Sequence, residues 1–106
     1  MSILIRRDHY IDLKELLNSI MTNTTEWESI KVMAFWGDYA LQTRLDTFNS
    51  ADRVVTELLT YGQTVNKEDA LIALVNELLY RYRYENKTKE VGILERIRED
   101  LVGQLA

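Results

Sequence analysis

Two apolar stripes at helical spacing, separated by a polar turn, fill the run from Ser50 to Tyr84. Val54, Val55, Leu58 and Leu59 fall on one face of a helix. Leu71, Leu74, Val75, Leu78, Leu79 and Tyr82 repeat the pattern on a second helix that runs to about Tyr84. Between them, Tyr61-Gly62 is the expected end of the first helix, because glycine adopts the left-handed cap conformation without strain at Cβ. Gln63 to Val65 is then a turn, and Asn66 is the expected N-cap of the second helix. Glu68 and Asp69 place negative charge in the first turn, where the helix dipole favours it. Neither helix can bury its stripe alone, so the rest of the chain must cover both.

That remainder is suited to helices. The chain has no proline and only four glycines in 106 residues, so few positions interrupt a helix. The length is that of one domain, residues 1–106, able to bury a core without disulfides or metal. With no cysteine, a disulfide framework and thiolate chemistry are both excluded.

The net charge is −4 and evenly spread. Residues 1–53 carry six basic and eight acidic side chains, and residues 54–106 carry seven and nine, so each half is −2. A chain of this balance is not expected to take nucleic acid as its main partner, since phosphate binding needs a basic surface. Arg6, Arg7 and Asp8 interrupt the apolar start before a signal-peptide core could form, and no apolar run reaches membrane-spanning length. The expected location is the cytoplasm, with no membrane partner.

Further helices follow from the same reasoning. Asp8 to Met21 carries Leu13, Leu16, Leu17 and Ile20, with Tyr10 one turn earlier. Thr22 to Thr25 is a polar break, and Thr25 with Glu28 fits a capping box for a second helix bearing Trp27, Ile30, Met33 and Ala34. Gly37-Asp38 is the expected junction with a helix that carries Leu41 and Leu45. Asn49 and Ser50 are both suitable N-caps for the helix that starts at Ala51. Thr88 is a suitable cap for the last helix, with Val91, Leu94, Ile97, Leu101 and Leu105 on its stripe. The expected architecture is all-α, a compact antiparallel bundle of five to six helices with short links.

Residues able to do chemistry are few. His9 is the only histidine and has no second histidine or cysteine to work with, so it is expected to be a surface or N-terminal residue. Glu95, Glu99 and Asp100 interleave with Arg96 and Arg98, the pattern of a solvated helix face with local ion pairs. No calcium loop or phosphate-binding glycine loop is present. The residues thus point to a protein without catalytic site, cofactor or metal.

Tyr80-Arg81-Tyr82-Arg83-Tyr84 is the unusual local feature. Three readings are open: tyrosines covering the core with wet hydroxyls, a protein contact rich in hot-spot residues, or base stacking with phosphate contacts. Trp27, Phe35, Trp36 and Phe48 read as core rather than as a ligand pocket.

The run from Phe48 to Leu101 resembles the small effector-associated, death-like domains of bacterial conflict systems. The resembling features are the Val54-Val55, Leu58-Leu59, Tyr61-Gly62 helix end, the Ala70-Leu71-Ile72-Ala73-Leu74 helix start and the Ile93-Leu94-Glu95-Arg96-Ile97 helix. The resemblance implies a six-helix antiparallel bundle of death-fold type. It also implies a non-enzymatic adaptor that associates with another death-like domain, with an effector (protease, TIR domain or NTPase), or with itself. Charged residues near helix ends are the candidate interface: Asp38, Arg44 and Asp46 in one patch, Arg81, Arg83 and Glu85 in another. Pairing of such patches on opposite faces would build rings or filaments.

A second class fits the composition as well: a free-standing helical inhibitor or immunity protein that binds a toxin or nuclease. A nucleic-acid-binding bundle acting through Tyr80 to Tyr84 is a third.

Overall fold

The computed structural model describes residues 5–46, 50–65 and 70–104, with side chains of the second segment described as far as residue 60. Within them the chain forms six α-helices: α1 Arg7–Met21, α2 Thr24–Ala34, α3 Tyr39–Leu45, α4 Ala51–Val65, α5 Ala70–Tyr84 and α6 Thr88–Gly103. The fold is an all-α bundle with a radius of gyration of 12.8 Å, about the value of a fully packed chain of this length.

α5 is the centre of the bundle. Leu71, Ile72, Leu74, Val75, Leu78 and Leu79 are all buried. They sweep a broad arc of the helix, so one neighbour could not cover them. Three do: α2, α4 and α6 all pack on α5. Leu13, Leu17 and Ile20 of α1, Leu41 and Leu45 of α3, and Leu94, Ile97 and Leu101 of α6 complete the same core. Asn76 meets Arg98 and Arg83 meets Glu95, so α5 and α6 run antiparallel. Their link is a Schellman turn. Lys87 N–H donates to Tyr82 C=O and Asn86 N–H to Arg83 C=O, with Asn86 at φ 59°.

The expected break at Gly37-Asp38 is present. Gly37 has φ 80°, and the Asp38 carboxylate accepts from Leu41 N–H at 3.1 Å as the N-cap of α3. Ser50 Oγ likewise accepts from Arg53 N–H at the start of α4.

Several expectations are corrected. α4 does not stop at Tyr61-Gly62 but continues through Gln63 to Val65. Glycine permits a helix to end; within a helix it costs only about 1 kcal/mol against alanine, which the surrounding turns absorb. The cap of α2 is Asn23, whose side chain accepts from Glu26 N–H at 3.1 Å, rather than Thr25. Thr88 is the first residue of α6, and the N-cap position falls to Lys87, which makes no side-chain capping bond. The proposed cap Asn66, with Glu68 and Asp69, lies outside the described residues, as do Phe48, Asn49 and Leu105.

α2 is also rotated from its expected setting. Lys31 is buried, whereas Met33 is exposed. Phe35 is buried beyond the helix end, but Trp36 beside it is 75% exposed. Past Ala34 the backbone leaves the helix, so adjacent side chains diverge and Trp36 points out as Phe35 points in.

Candidate interaction surface

Ala73, Glu77, Tyr80 and Tyr84 follow one another about one helical turn apart along α5, with Ala73 packed against the core and Glu77 mostly buried. Tyr80 and Tyr84 are largely exposed. The reading of these tyrosines as core covers is therefore corrected for this pair, and only Tyr82 packs against the core. Burial raises the Tyr82 hydroxyl pKa above its ordinary 10.0, and the nearby Glu26, Glu90 and Glu85 add to this.

α2 lies beside this stripe, and the two helices form a seam. Arg81 straps it from within: Nε donates to Glu77 at 3.0 Å and Nη2 donates to Ser29 Oγ of α2 at 2.8 Å. Two open depressions lie end to end along the seam. The first, about 280 Å³, is lined by Met33, Glu77, Tyr80, Arg81, Tyr84 and Glu85. The second, about 310 Å³, is bounded by Trp36, Asp38, Ala70 and Ala73. Trp, Tyr, Met and Arg are the residue types enriched at protein interfaces.

The six charged candidates separate into two places. Asp38, Arg44 and Asp46 flank α3. Asp38 caps that helix, Arg44 pairs with Glu57 of α4, and Asp46 accepts from Lys31 of α2. Arg81, Arg83 and Glu85 lie at the end of α5: Arg81 straps the seam, Arg83 reaches Glu95 at 3.1 Å, and Glu85 meets Lys87 at 3.3 Å. Ser29, which holds Arg81, and Lys31, which holds Asp46, are two residues apart and so about 200° apart around α2. Arg81 and Asp46 thus hold α2 from opposite sides, while Asp38 lies at the end of the same seam as Arg81. All six side chains have a partner within the fold, and Arg44, Asp46 and Arg83 each keep more than half of their surface in solvent.

Lys31 was not visible as a structural residue in the sequence. Its ammonium donates to Glu28 at 2.7 Å and to Asp46, and lies 5.6 Å from the Trp27 ring centre. Burial disfavours this ammonium, but the bonds from Asp46 and Glu28 more than offset it and hold its pKa above 10.5. The signal was Trp27 at i−4 and Glu28 at i−3 on one helix.

His9 is part-buried rather than at the surface, with Nδ1 3.1 Å from Asp100 Oδ2. Leu16 and Ser19 share a depression with Lys89 and Ile93, so α1 and α6 also run antiparallel. The α6 charges are not a face of local pairs: Glu95, Arg98 and Asp100 bond to Arg83, Asn76 and His9 on other helices. Among the described residues, no group of three or more His, Asp or Glu side chains is placed to hold a metal ion. Among them, no helix is long and apolar enough to cross a membrane. Compared with protein-family models, with characterised proteins and with solved structures, the chain has no match.

Proposed function

We propose that this chain is a non-enzymatic protein–protein interaction module of death-like, effector-associated type. In this reading it is a cytoplasmic adaptor that recruits or oligomerises an effector (a protease, TIR domain or NTPase) in bacterial immunity or signalling. The observation that carries the reading is the exposure of Met33, Trp36, Tyr80 and Tyr84 together along one seam. Large apolar side chains gathered on a surface mark a contact site more often than an accident of packing. The charged residues at the ends of α3 and α5 supply the polar rim such a contact needs.

The test is association. Light scattering of the purified chain across a concentration series, and pull-down with candidate effector domains, should both be repeated for R81E/R83E. The expected result is weaker association with an unchanged helical signal in circular dichroism. Association that survives both charge reversals removes this patch from the interface. A strict monomer that captures one toxin or nuclease instead identifies an inhibitor and overturns the adaptor reading.

A further inference from the structure

We draw no further inference here: the strongest candidate, the exposed apolar seam of Met33, Trp36, Tyr80 and Tyr84 between α2 and α5, carries nothing, because Glu77, Glu85 and Asp38 along it are already engaged within the fold and nothing in the structure shows what covers it.

Discussion

Lys31 allows a test of how a buried cation is held in this bundle. Its side chain is 3% exposed, while those of its partners Glu28 and Asp46 are 55% and 52% exposed. Breaking a fully buried pair costs about 3–5 kcal/mol, and an exposed pair is worth about 0–1 kcal/mol. The Lys31 cluster lies between, because the cation is dry and the anions are half wet. Glu28→Gln or Asp46→Asn alone leaves one carboxylate on the ammonium and should cost about 1 kcal/mol each. The double variant leaves a desolvated charge with no anion and should cost about 3 kcal/mol, more than the sum of its parts. Lys31→Met keeps the length of the stem against Trp27 and returns both carboxylates to water, so it should lie within about 1 kcal/mol of the parent. Adding Lys31→Met to the double variant should restore most of the loss. Urea unfolding at constant m-value gives each free energy, and the cycle gives the coupling. A double variant that costs under about 1 kcal/mol would show that water reaches the ammonium, and the argument from burial would fall.

The same residues set an alkaline response. Tyr10 is raised above 10.0 by its 2.7 Å bond to Asp52 and then by burial; Tyr82 is raised by burial, and Lys31 is raised above 10.5. Each holds its proton more tightly folded than unfolded, so its stabilisation is complete below pH 10 and is lost as pH rises through the folded values. The urea midpoint should fall between pH 10 and 11, and Tyr10→Phe with Tyr82→Phe should flatten that fall; an unchanged slope would assign it to other groups. Asn86 has φ 59° in the α5–α6 turn, so Asn86→Ala should cost about 1 kcal/mol and Asn86→Gly almost nothing by urea unfolding. A Cβ at Gly92, within α6, would meet nothing within 4 Å, so Gly92→Ala should raise stability by about 0.5–1 kcal/mol; a lower melting temperature would refute the open site.

What could be seen in the sequence was whatever repeats locally. Leu13, Leu17 and Ile20, and Leu94, Ile97 and Leu101, lie in the core because their spacing matches the helix and nothing else competes for that face. The junction at Gly37-Asp38 was readable because φ 80° and a side-chain cap are each specified by one residue. The α4 end was misplaced for the converse reason: Gly62 allows a stop, and only the packed turns around it decide whether one occurs. His9 and Asp100 are separated by 91 residues, so no local pattern could pair them.

The setting of α2 shows how such long-range contacts reach the candidate surface. On apolar spacing alone, Met33 belongs with Trp27 and Ile30, and Lys31 belongs outside. Asp46, fifteen residues further on, reverses this by giving the Lys31 ammonium an anion at the end of α3. With Lys31 turned toward α3, Ser29 lies on the opposite side of the helix, where Arg81 holds it. Met33, one turn beyond Ser29, then has no place in the core and is left beside Tyr80 and Tyr84. The exposed seam and the buried lysine are two sides of one rotation of α2. A Lys31→Glu variant would set a third carboxylate against Glu28 and Asp46 and drive position 31 outward, so the solvent exposure of Met33, read by its oxidation rate, is expected to fall as it turns inward. An unchanged rate would mean that Arg81 and Ser29 alone fix the rotation.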